Sequence, residues 1–129
     1  VSEPAVSEPA AGEAAAAGSG DTQAALDDTL AALADPLRRR AVELLAERPR
    51  RAGELASELR TTPSTMSKHL RVLRRRGLVT DAHPDFDARV RIYALRSAPM
   101  TELRSWLDTA ERGWTEQLTA FAAHLEREP

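Results

Sequence analysis

Apolar positions recur along the chain in five helical runs and two strand-like stretches. Leu26, Leu30 and Leu33 fall at i, i+4 and i+7, one stripe on a helix predicted from Thr22 to about Ala34 with Asp21 as N-cap. Asp35-Pro36 restarts the chain as cap and first helical residue. The second helix is predicted to run to about Glu47, with Leu37, Ala41, Leu44 and Leu45 inward. "RPRR" reads as a short connection, and Gly53 to Leu59 as a short third helix with Leu55, Ala56 and Leu59 apolar. Thr62-Pro63 repeats the cap-then-proline signal, so a fourth helix is expected from Pro63 to Arg76, stopped by a left-handed Gly77. Only Arg60 to Thr62 separate the third and fourth helices, the short turn of a helix-turn-helix. "LVTDAH" and "RVRIYAL" flank Pro84 to Ala88 and predict a β-hairpin with a five-residue loop. Ser97 to Pro99 opens a long last helix to about Glu126, with Leu103, Trp106, Leu107, Ala110, Trp114, Leu118, Phe121 and Leu125 at steps of three and four. The fold class expected is mainly α with a small β-hairpin wing, a winged helix-turn-helix.

The fourth helix separates its residues cleanly when projected at about 100° per residue. Met66, Leu70 and Leu73 cluster on one side, flanked by His69 and Arg76. Ser64, Lys68, Arg71 and Arg75 fall opposite, with Ser67 and Arg74 on one flank and Thr65 and Val72 on the other. Three apolar residues are too few for a helix lying on a membrane, which needs a wide face with large anchors. They suffice to dock a helix on a small domain. Short donors at the N-terminal half suit base edges, and arginines beyond them suit phosphates. A charged face is ordinarily just a solvated one. Here the short turn in front, the hairpin behind and the local excess of cations favour a nucleic-acid reader.

Charge sharpens that picture. The net charge is −2, yet residues 35–79 carry twelve Lys/Arg against five acids. Residues 1–34 carry six acids and no Lys or Arg, and residues 80–129 carry six Arg against nine acids. A basic middle between acidic ends is an electrostatic footprint that the whole-chain balance conceals. Residues 1–20 contain "VSEPA" twice and are almost entirely Ala, Gly, Pro, Ser and Glu. Such a segment buries too little apolar surface to offset its ordering entropy and is expected to be a disordered acidic tail. Residues 21–129 are expected to form one domain. With no cysteine there is no disulfide framework or thiolate site, which fits a cytoplasmic protein. The acidic start is unlike a secretory leader, and no apolar run is long enough to span a bilayer.

"ADPLRRRAVELL" (34–45), "GELASEL" (53–59), "SKHLRVLRRRGLV" (67–79) and "IYAL" (92–95) together resemble the winged helix-turn-helix repressors of the arsenic-repressor (ArsR/SmtB) family, over about residues 26–128. The resemblance implies a homodimer whose first and last helices form the interface, here Leu26, Leu30 and Leu33 with Trp106, Ala110, Trp114, Leu118 and Phe121. It implies a repressor that binds an imperfect palindrome in double-stranded DNA with the fourth helix in the major groove. Ser64, Thr65, Ser67 and Lys68 match the family's base-contacting stretch, with Arg71 facing the backbone or a base edge. Arg75 lies on the same outer face, and Arg89 and Arg91 in the wing are placed to reach backbone or minor groove. The chain departs from the metal-sensing relatives. It has no cysteine, Asp108 is followed by Thr109-Ala110, and His124 by Leu125-Glu126-Arg127, so neither half of the carboxylate/His zinc pattern is present. No metal and no cofactor are expected, and the effector is unknown. The wing tip departs too, with Asp85 and Asp87 where basic or glycine residues would suit phosphate.

Several residues admit two readings. Trp106 and Trp114, about two turns apart, fit an effector pocket or a dimer interface, and the interface is the commoner use of such a stripe. Arg38, Arg39 and Arg40 in a first helical turn oppose the helix dipole, and either phosphate or carboxylates such as Glu43 would compensate. His69 fits a structural hydrogen bond better than a DNA contact, Gly113 fits close helix approach or a bend, and Val72 has no assigned role. No phosphate-cradling glycine loop, nucleophile elbow or acid–base pair points to an enzyme. The function expected is a sequence-specific DNA-binding transcriptional regulator. The alternatives are a protein-interaction module on a winged-helix scaffold and a non-specific nucleoid-associated DNA binder.

Overall fold

The computed structural model describes residues 19–84 and 89–127. The expected tail, residues 1–20, lies outside the described residues up to residue 18, as do Asp85 and Asp87 of the wing tip. Among these residues, five helices and three short strands follow in the order α1 (Ser19–Leu33), α2 (Pro36–Glu47), β1 (Arg50–Arg51), α3 (Ala52–Glu58), α4 (Pro63–Arg75), β2 (Val79–Ala82), β3 (Ile92–Leu95) and α5 (Ser97–Arg127). The architecture is mainly helical with a small antiparallel sheet, ordered β1-β3-β2.

Local chemistry accounts for the helix ends. Asp35 Oδ1 accepts from the backbone N–H groups of Leu37 at 2.8 Å and Arg38 at 3.1 Å, and Pro36 takes the first helical position of α2. These hydrogen bonds, that from Arg38 first, hold the Asp35 carboxyl below the usual carboxylate range. At α3, Glu54 accepts from the Arg51 N–H and is held low in pKa by that bond first, with Arg48 adding to it. Both α3 and α4 end in a Schellman turn. In α4, Leu78 N–H reaches Leu73 O at 2.9 Å and Gly77 N–H reaches Arg74 O at 3.0 Å, with Gly77 at φ +85°. In α3, Thr61 N–H reaches Ala56 O at 3.0 Å, and Arg60 takes the left-handed position at φ +54°, where glycine is usual.

The core sits where α2, α3, α4 and the sheet meet. Leu55, Met66, Leu70, Leu73 and Leu78 are its largest fully buried side chains, joined by Ala41, Val42, Leu45 and Tyr93. The expected docking face of α4 is therefore the face that is buried.

Four expectations need correction. α1 begins at Ser19, so Asp21 lies in its first turn and is not its cap. "RPRR" is more than a connection, because Arg50 and Arg51 form an edge strand opposite Tyr93 and Ile92. The wing strands are shorter than expected: β3 starts at Ile92, paired with Ala82, and Arg89 and Arg91 precede it. Arg38 and Arg39 turn to backbone carbonyls rather than to Glu43. Arg38 donates from Nε to Ala32 O at 2.7 Å and from Nη2 to Ala31 O at 3.3 Å, and Arg39 Nη1 donates to Leu33 O at 2.8 Å. These carbonyls lie at the C-terminus of α1, where they lack helical partners and attract cations.

Candidate functional site

The N-terminus of α4 is built by Thr62, whose Oγ1 accepts from Thr65 N–H at 3.1 Å, followed by Pro63. That cap and the buried Met66, Leu70 and Leu73 set the rotation of the helix. Ser64, Ser67, Lys68, Arg71 and Arg75 are then all exposed on the outward side. Thr65 is half-buried, and its hydroxyl accepts from that of Thr62 at 2.9 Å. The other two cations of α4's end turn to neighbouring elements. Arg74 Nε pairs with Asp81 at 3.0 Å, and Arg76 Nη1 pairs with Asp28 of α1 at 2.9 Å.

Beside α4, a concavity of about 580 Å³ opens toward the wing. Arg51, Ala52, Gly53 and Glu54 form one side, Ser67, Leu70, Arg71 and Arg74 a second, and Arg89, Val90, Arg91 and Tyr93 the third. Five arginines thus meet one glutamate. Asp81 on β2, whose side chain is 8 % exposed, stands between two of them, with Arg91 Nη1 at 3.5 Å from its second oxygen. Arg91, expected to reach DNA, is therefore also tied to Asp81, and Arg89 is exposed.

The residues expected at a dimer interface divide. Leu26 is 7 % exposed within the single chain, and Leu33 is half-buried against the core. Leu30 remains 42 % exposed, as do Trp106 at 43 %, Trp114 at 62 %, Leu118 at 49 % and Phe121 at 60 %. Ala110 is exposed beside them, and α5 has no buried residue. His69 lies 3.4 Å from Arg38 through Nδ1, which must accept because a guanidinium only donates.

Sequence reasoning missed three residues that shape this region. Arg50 is buried, donating to Glu58 at 2.6 Å and to Leu44 O at 3.1 Å. Arg51 and Arg74 line the concavity. Arg50 and Arg51 have no periodic signature, and the helical angle put Arg74 only on a flank of the fourth helix. The one available signal was the density of arginine in "RPRR" and "RRR".

Among the described residues, no group of three or more His, Asp or Glu could hold a metal ion. Among them, too, no helix is long and apolar enough to cross a membrane. A family model described as "Bacterial regulatory protein, arsR family" matches residues 35–81, from the α2 cap to β2. The chain is 39% identical over 97 residues to the HTH-type transcriptional regulator Rv2034 of Mycobacterium tuberculosis, covering 75% of this chain and 85% of that protein. Among solved structures it resembles an ArsR-like transcriptional regulator from Rhodococcus sp. RHA1, with TM-score 0.68 and 26% identity over 84% of this chain and 99% of that one. It also resembles HlyU from Vibrio cholerae, with TM-score 0.55 and 29% identity over 72% of this chain and 95% of that one.

Proposed function

The chain belongs to the arsR family of bacterial regulatory proteins, and from that premise we propose that it is a repressor that binds an imperfect DNA palindrome as a homodimer. The observation that carries this is the division of α4. Its apolar side is fully buried, while Ser64, Ser67, Lys68, Arg71 and Arg75 stand together in solvent. Small hydroxyls and one lysine near the helix N-terminus are suited to base edges, and the arginines one and two turns later to phosphates. Thr65, engaged with its cap, acts at the margin of that surface. Arg89 and Arg91 flank it from the wing.

The exposed apolar side of α5, with Leu30 beside it, supports dimerisation. Large apolar patches on a regulator of this size ordinarily mark an interface. In the dimer the two α4 helices would lie about 34 Å apart, one turn of DNA. Occupancy of a promoter by such a dimer excludes polymerase, which is the physical content of repression. The protein then works beside the chromosome, in the cytoplasm. No metal and no effector is assigned to it.

The test is titration of labelled promoter DNA, including the region upstream of the protein's own gene, against random DNA. Specific retention, lost in Lys68→Ala and Arg71→Ala while the dimer persists in sedimentation, is the expected result. Wild-type affinity in both variants would remove α4 as the reader. Equal retention of all DNA would make the protein a non-specific nucleoid binder, and no retention an interaction module.

A further inference from the structure

The described lining of the concavity beside α4 holds five arginines. Arg51 comes from the edge strand, Arg71 and Arg74 from α4, and Arg89 and Arg91 from the approach to β3. Among the described residues the one carboxylate in its lining is Glu54, which is ionised and already bonded to Arg48 at 3.1 Å and to the Arg51 N–H. Asp81 offsets Arg74 and Arg91 from behind the wall and holds α4 and the wing at a set spacing. Among the described residues, neither Arg51 nor Arg71 makes an ion pair. Three separate elements therefore bring arginines to the wall of one volume of about 580 Å³. Like charges gathered at this density repel, and an anion between them relieves the repulsion. The planar guanidinium fork matches the oxygens of a phosphate.

We propose that this concavity is a phosphate seat, with Arg51 as its outer wall, and that the wing grips by its root. The proposal rests on the DNA-binding reading for its first ligand, the phosphodiester that runs between the groove entered by α4 and the groove faced by the wing. A free polyphosphate offers the same chemistry. The acidic wing tip, Asp85 and Asp87 in the sequence, is unsuited to that grip. Charge of the required sign is at the root instead.

The test uses the full chain with Arg51→Ala and Arg51→Lys. The Arg51 side chain is exposed, so both variants should melt like wild type. Affinity for operator and for random DNA is measured across a salt series, and sodium tripolyphosphate is titrated calorimetrically into each free protein. Arg51→Ala should weaken both DNAs by the same factor and lower the slope of log K against log salt by about one. Arg51→Lys should keep the slope. If tripolyphosphate also binds wild type, and roughly tenfold more weakly in Arg51→Ala, the seat accepts free anions as well. If it gives no heat while the slope still falls, the seat serves the DNA backbone alone. An unchanged slope together with tripolyphosphate binding that is absent or indifferent to Arg51 overturns the proposal. Should wild type bind no DNA, the repressor reading falls, and the tripolyphosphate titration still decides the seat.

Discussion

α4 and α5 are written in the same code and end in opposite surroundings. Both place apolar residues at steps of three and four. In α4, Met66, Leu70 and Leu73 are fully buried within one chain. In α5, 31 residues long and so about 46 Å, nothing is buried, and Trp114 and Phe121 are more than half exposed. α4 lies at the centre, against α2, α3 and β2. α5 packs on α1 and meets the core cluster in its first turn, at Met100. An apolar stripe states that a face needs cover, and the position of the helix decides whether the same chain supplies it.

That contrast can be broken at either helix. Leu70→Ala should cost about 2–5 kcal/mol, because it leaves a cavity under a helix surrounded by rigid neighbours. Urea unfolding should show the midpoint falling sharply, and a change under 1 kcal/mol would mean that α4 is loosely held. Trp114→Ala should leave the fold of each chain intact and weaken self-association by about 2 kcal/mol, roughly thirtyfold in Kd, as an aromatic anchor at an interface does. Sedimentation over a concentration series checks it, and an unaltered monomer–dimer balance would mean that this stripe is not the interface.

The smallest effect concerns the junction of α1 and α2. Asp35→Ala should destabilise by about 1 kcal/mol through loss of the α2 cap. Because the folded pKa of Asp35 is depressed, its contribution is fully present above the ordinary aspartate pKa. It fades as pH falls through the folded value. Thermal melts of wild type and variant should therefore differ at neutral pH and converge under strongly acid conditions. A gap that persists there would point to a role other than the ionised cap.

Much of the stretch from α2 to α4 was legible because its signals are local. Asp35-Pro36 and Thr62-Pro63 each start a helix where the cap and the proline demand it. Gly77 ends α4 because its left-handed turn suits glycine. Arg60 does the same for α3 without glycine, which is why that stop was less plain. The fourth-helix face that docks was readable from three residues. The site beside it was only half readable. Ser64, Ser67, Lys68, Arg71 and Arg75 could be placed by helical angle alone, but Arg51 and Arg74 enter the concavity through contacts between distant segments.

The sequence by itself determined the order of elements, their caps and which side of each helix is apolar, since those follow from backbone preferences and periodicity over a few residues. Only the tertiary structure decided how the charges are used. Arg38 and Arg39 cap α1, the buried Arg50 pairs with an exposed Glu58, and Asp81 joins α4 to the wing. It also decided that α5's stripe stays uncovered in one chain. A charged side chain carries no period that names its partner. Its role is set by whichever carbonyl or carboxylate the fold brings within reach.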